Sequence, residues 1–210
     1  YTPIANPARL IPNLTFGIRE QELQTTLDTV KDKHKPDLVV VLSHNGIDVD
    51  KKLASRVSGI DIILGGHTHD AVPNTIEVKN NSGITLVANS GCNGKFISVM
   101  DIKFFGKSYT YEYNLIPILS NQIAPNKDME RYINTISDPY KAELSEIVGY
   151  ASETLYRRSN FNGTFDDLLC DSMNNVLDTQ LSLSPGFRWG ATLLPNQSIS
   201  MEDIYNHTAI

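Results

Sequence analysis

The chain has 210 residues, 40% of them hydrophobic and 20% charged, with a formal net charge of −6. That is an ordinary globular composition, with room for one full core and part of a second. No run approaches the roughly 18 apolar residues of a membrane span, and the acidic balance excludes a general nucleic-acid binder, which needs a basic face. Cys92 and Cys170 are too few for a disulfide framework or a zinc knuckle and are read as two free buried thiols.

Along the chain, Leu23, Leu27 and Val30 recur at helical spacing and predict an amphipathic helix from Ile18 to His34, closed by Pro36. "DLVVVLSHNG" is a β-branched run ending at Gly46 and predicts a strand buried on both faces. "VDKKLASRVSG" predicts a short helix with Gly59 as its C-cap, and "IDIILGG" the next buried strand. Helix, strand, helix, strand with short loops is the pattern of an α/β layered fold, in which sites form at the carboxyl ends of the strands. After Pro73 come the strands "ITLVAN", "KFISVMDIKFF" and "SYTYEYNLIPI" with turns at "NNSG" and "FGKS", then a helical connection over roughly 128 to 147. From about Val148 the character changes. "FNGTFDDLLCDSMNNVLD" predicts a helix with Thr164 as its N-cap, and "SPGFRWG" a loop after a short strand. The domain reading is therefore 1–118, a linker helix over 119–147, and a second domain from 148 to 210. Tyr1 without an initiator methionine, and "MEDIYNHTAI" opening a new element at the other end, predict an internal piece of a longer chain.

The chemistry concentrates in "LGGHTHD", residues 64–70. Neutral imidazoles bind divalent metals, and glycines after a strand let the backbone turn so that side chains converge. Gly65 and Gly66 are expected to supply that turn, with His67 and His69 on one side of an extended segment. His44 ends the preceding strand, so three imidazoles are expected on one rim, reaching either one ion or two adjacent ions. A three-histidine catalytic zinc site is also compatible with this spacing. His34 and His207, taken singly, read as polar residues satisfied in loops. Asp70 is either a support for an imidazole or a loop cap. Arg188 in "SPGFRWG" is either an anion contact, for which a guanidinium fork is suited, or a structural ion-pair partner, and Trp189 reads as packing.

"VVVLSHNG" followed by "DIILGGHTHD" resembles the C-terminal half of the metallophosphoesterase domain of the calcineurin-like and 5′-nucleotidase superfamily. The resemblance implies that His44, His67 and His69 are metal ligands. It places the family's remaining ligands, in Asp-x-His and Asn-His-Glu motifs, and its acid/base residues upstream of Tyr1, so no catalytic residue is assigned here. A resemblance over nearly the whole chain, carried by "YTPIANP", "LTFGI", "LASRVSGIDIILGGHTHDAVP", "FNGTFDDLLCDSM" and "SPGFRWGATLLP", is to the SoxB thiosulfohydrolase family. The implied fold is α/β: the C-terminal part of a layered α/β/β/α metallophosphoesterase domain, then the start of an α/β 5′-nucleotidase-type C-terminal domain. The implied reaction is dinuclear-metal hydrolysis, with two divalent ions (Mn2+), releasing sulfate from a cysteine S-thiosulfonate on a SoxYZ-type carrier in the periplasm. Nucleotidases usually carry Asn-x-Gly-Gly-x-Arg where this chain has "SPGFRWG", which shifts the expected substrate from nucleotide to sulfonate and leaves Arg188 at the arginine position. The alternatives are a 5′-nucleotidase or related phosphoesterase, and a metal-free binding or scaffold protein. Without the upstream ligands, the 210 residues alone are expected to show little activity and weak metal affinity.

Overall fold

The computed structural model describes residues 9, 11–157, 162–184 and 191–208. The chain divides into two compact units between Ala124 and Pro125, each of mixed α/β structure.

In the first unit, α1 (Glu20–His34), β1 (Val40–Leu42), α2 (Ile47–Arg56) and β2 (Ile62–Gly65) follow the predicted alternation. β3 (Ile76–Asn80) and β4 (Gly83–Asn89) complete a four-stranded sheet of order β1-β2-β4-β3. β1, β2 and β4 are parallel, and β3 returns antiparallel on the far edge. Register places Val41, Ile63, Val87 and Ile76 in one row across the four strands. That row packs with Leu27 of α1 and with Leu53, Ala54 and Val57 of α2. The helices therefore cover one face of the sheet, and apolar burial along this row is the main stabilising term of the unit. β5 (Phe96–Phe105) and β6 (Ser108–Pro117) form a separate antiparallel hairpin. It is tied back by the Tyr113 hydroxyl, which donates to the Val72 carbonyl at 3.0 Å.

Three expectations are corrected here. β1 is not buried on both faces: Val41 turns to the helices, but Val40 is 43% and Leu42 81% exposed, because β1 is the edge of the sheet among the described residues. The strand β3 was not anticipated, although Ile76, Glu77, Val78 and Lys79 alternate apolar and polar as an edge strand should, with Ile76 and Val78 turned to the core. Gly59 does follow α2 with φ +85°, but the helix ends at Val57, whose N–H closes on the Leu53 carbonyl.

In the second unit, α3 (Lys127–Ser137) is capped by Asn126, whose side chain accepts from the N–H groups of Asp128 and Met129. A 3₁₀ turn (Asp138–Tyr140) then breaks the helical stretch at Pro139 before the short α4 (Lys141–Leu144). β7 (Ile147–Tyr150) pairs antiparallel with β8 (Ser198–Ser200), and α5 (Thr164–Leu177) and α6 (Met201–Thr208) complete the unit. Phe165, Leu193, Leu155, Ala151 and Ile199 form its core. Thr164 is the first residue of α5 and not its cap. Its hydroxyl donates to the Thr154 carbonyl at 2.7 Å and accepts from the Tyr156 N–H, lashing the helix to the segment before it. Gly163 allows this, because a Cβ there would collide with the Tyr156 carbonyl. The short strand expected just before Ser184 is not formed: residues 178–184 carry no strand.

Candidate metal centre

The parallel pairing of Leu42 with Leu64 brings β1 and β2 to the same rim, and the Ser43 N–H extends it by donating to the Leu64 carbonyl at 2.9 Å. His44 and His67 therefore emerge side by side, with ring centroids 5.1 Å apart and planes tilted by 58°. The turn itself differs from the expectation. The left-handed backbone falls on His67 (φ 81°) and His69 (φ 58°), while Gly65 and Gly66 supply room. A Cβ on Gly66 would sit 3.2 Å from His44 Nδ1, and one on Gly65 2.6 Å from Asp50 Oδ2. Non-glycine residues held at positive φ are strained by about 1–3 kcal/mol each and persist only where the surroundings enforce them.

What enforces them is α2. The Thr68 hydroxyl, between the two histidines, accepts from the Ile47 N–H at 3.1 Å and so satisfies an end amide that Gly46 cannot cap. The Thr68 methyl lies against Gly46, whose φ of +94° and lack of a side chain permit the contact. One turn later Asp50, wholly buried, accepts from Ser43 Oγ at 2.5 Å. Burial pushes its carboxyl above the usual range, held back by the polar side chains of Ser43 and Asn45. Asn89, at the end of β4, is also buried, and neither of its amide atoms finds a hydrogen-bond partner.

For His44, burial and the neighbouring His67 both lower the pKa, which favours the neutral imidazole that a metal requires. Two imidazoles sharing one ion at about 2.1 Å place their centroids about 5 Å apart, the separation found for His44 and His67. The three imidazoles do not converge on a single ion. Among the described residues no group of three or more His, Cys, Asp or Glu side chains lies together as such a site needs, so the three-histidine zinc arrangement is not formed. His69 continues into an antiparallel bridge between Ala71 and Ser90, beside which the Asp70 carbonyl accepts from the Gly91 N–H. An open cavity of about 510 Å³ runs from α1 along β1 to His44, lined by Arg19, Leu23, Val41 and Leu42 among others.

In the second unit, Arg188 and Trp189 lie outside the described residues. The buried polar cluster there joins Arg157, Asp166, Ser184 and His207. Arg157 pairs with Asp166 at 2.8 Å, donates to Ser184 Oγ and also donates to the His207 carbonyl. His207 is not a loop residue but a buried one, stacked on Phe165 at 3.9 Å, and burial with the Arg157 charge lowers its pKa. Sequence reasoning missed Asp50 and Thr68. Asp50 carried a signal, since it shares the helical spacing of Leu53, Ala54 and Val57 and so had to face the core; nothing in "GHTH" marked Thr68. Cys92 and Cys170 are free and half-buried.

No family model matches the chain. The trifunctional nucleotide phosphoesterase YfkN of Bacillus subtilis is 30% identical over 147 residues, 68% of this chain and 10% of its own length. The snake venom 5′-nucleotidase of Crotalus adamanteus is 25% identical over 83% of this chain and 33% of its own. Among solved structures, sulfate thiohydrolase SoxB of Thermus thermophilus superposes with a TM-score of 0.90 at 29% identity, covering 99% of this chain and 38% of that one. A 5′-nucleotidase precursor, also from Thermus thermophilus, shares the fold at a TM-score of 0.72 and 24% identity, covering 90% and 41%. The chain thus spans less than half the length of each of these relatives.

Proposed function

Because the chain is a SoxB-like member of the 5′-nucleotidase superfamily, we propose that it forms part of a dinuclear-metal hydrolase releasing sulfate from a cysteine S-thiosulfonate on a SoxYZ-type carrier. The observation that supports this reading best is that the SoxB likeness extends over essentially the whole chain and is closer than that to the nucleotidase fold. Relatives in the superfamily are hydrolases, and the placement of His44 and His67 side by side on one rim supports the metal-dependent reading.

In this reading His44, His67 and His69 would serve as ligands to two divalent ions. Two divalent ions, manganese in this proposal, supply positive charge that polarises a sulfonate and acidifies water. The chain's own contribution is to set His44 and His67 at a fixed angle and, through burial of His44, to favour the neutral form of that ring. Arg188 is proposed as the anion contact, since a guanidinium fork suits the oxygens of a singly charged sulfonate. Asp70 orients an imidazole ring. The protein works in the periplasm, where its carrier is; no described helix is long and apolar enough to cross a membrane.

The test is to incubate the protein that carries this chain, loaded with Mn2+, either with AMP or with thiosulfonate-loaded carrier, and to quantify phosphate and sulfate by ion chromatography. Sulfate release with little phosphate is expected. Brisk AMP hydrolysis without sulfate refutes the proposal in favour of the nucleotide-directed reading, which the nucleotide phosphoesterase relatives favour. Less than one ion per chain on metal analysis supports a non-enzymatic scaffold instead.

A further inference from the structure

We propose that Asp50 is a positioning residue for the imidazole pair: from inside α2 its carboxylate fixes Ser43, and through Ser43 the angle at which His44 meets His67. The inference rests on the reading of His44 and His67 as a metal-holding pair. Ser43 Oγ is shared, donating to Asp50 Oδ1 at 2.5 Å and accepting from the Asn45 N–H at 3.3 Å. Ser43 also donates its own N–H to Leu64. The residues on both sides of His44 are thereby pinned to one carboxylate.

The second carboxylate oxygen lies against the other strand end. A Cβ on Gly65 would meet Oδ2 at 2.6 Å, and the next residue, Gly66, lets His44 Nδ1 approach its backbone. Asp50 therefore touches both strand ends that carry the rings, from a helix whose first turn also holds Thr68.

Its environment argues against a purely structural role. Asp50 is 0% exposed on the same helical face as Leu53, Ala54 and Val57, and Oδ2 has no hydrogen-bond partner. Burying a carboxylate with one oxygen unsatisfied is unfavourable, and an apolar residue of similar size would make a more stable α2. The placement of His44 is what the carboxylate supplies and an apolar residue would not.

The test uses the full protein that carries this chain, as parent and with three substitutions. Ser43→Ala removes the relay with little volume, Asp50→Leu removes the acceptor, and Asp50→Asn keeps an acceptor oxygen in the same place. Without metal, the ring-to-ring NOE between His44 and His67 is expected to vanish in Ser43→Ala and Asp50→Leu and to persist in Asp50→Asn. Co2+ affinity, read from visible absorption, is expected to fall about ten- to hundredfold in Ser43→Ala, as for other groups that orient metal ligands, and to stay near the parent in Asp50→Asn. A Ser43→Ala chain that keeps both the NOE and the affinity overturns the proposal. So does an Asp50→Asn chain as impaired as Asp50→Leu. A parent chain that binds no Co2+ defeats the metal reading separately, and the NOE alone then decides the positioning role.

Discussion

Replacing Gly46 by alanine tests the link between α2 and the histidine loop. Gly46 has φ +94° and ψ 154°, a region that is essentially glycine's own and that strains other residues by about 1–3 kcal/mol. The new Cβ would lie 2.7 Å from Thr68 Cγ2, closer than packed carbons come, and relieving it adds about 1–3 kcal/mol of overpacking. Gly46→Ala is thus expected to destabilise the first unit by about 2–6 kcal/mol. Thr68→Ser separates the two parts, because it deletes the offending methyl and keeps the hydroxyl that accepts from Ile47. In the double variant about 1–2 kcal/mol should return, leaving the backbone strain. Native-state hydrogen exchange at the amides of β2 and β4 reports the unfolding of this unit alone. A loss below about 0.5 kcal/mol in Gly46→Ala, or a double variant no better than the single, refutes the account.

Other substitutions probe the second unit and the proposed site. Asp166→Ala strands the Arg157 guanidinium in the core and should weaken the unit by about 3–5 kcal/mol, measured by native-state hydrogen exchange at the paired amides of Leu155 and Leu193, with Arg157→Met combined with Asp166→Leu doing less harm. His207 has a folded pKa below its ordinary value of about 6.5, so below that pH the unfolded chain binds the extra proton more readily. Stability of the unit should therefore fall as the pH drops from about 6.5 through the folded pKa, and His207→Gln should flatten that slope; an unchanged slope refutes the assignment. Asp203 and Asp166 oppose the effect and Arg157 reinforces it. Arg188→Lys replaces the fork by a point charge and should lower kcat/KM for sulfate release by about tenfold or more with metal content unchanged, measured by steady-state kinetics and metal analysis.

The regular elements were legible where periodicity and punctuation agree. α1 and α5 fall within two residues of their predicted starts, and the strand ends that carry His44 and His67 were placed by their β-branched runs and glycines. What sequence hid is tertiary. The burial of β1 depends on what lies beside it in the sheet, not on its own residues. The glycines of "LGGHTHD" looked like the source of the turn, yet the turn is made by the histidines, because Thr68 holds them from a helix 21 residues away in sequence. The convergence of His44 and His67 follows from one register, Leu42 opposite Leu64. His207 looked like a loop residue because its core partner, Phe165, is distant in sequence.

The open margin of β1 has a consequence for what can be added to this sheet. Leu42 and Val40 stand open to water, and along this edge the strand offers backbone groups that no described neighbour takes up. Such an edge is a template that an extended apolar segment can join, and natural proteins usually guard it with a lysine, a proline or a bulge. "VVL" has none of these. That line ends one residue before Ser43 and His44, so an extended segment joining this edge, from the same protein or another, would come to lie beside the imidazole rim.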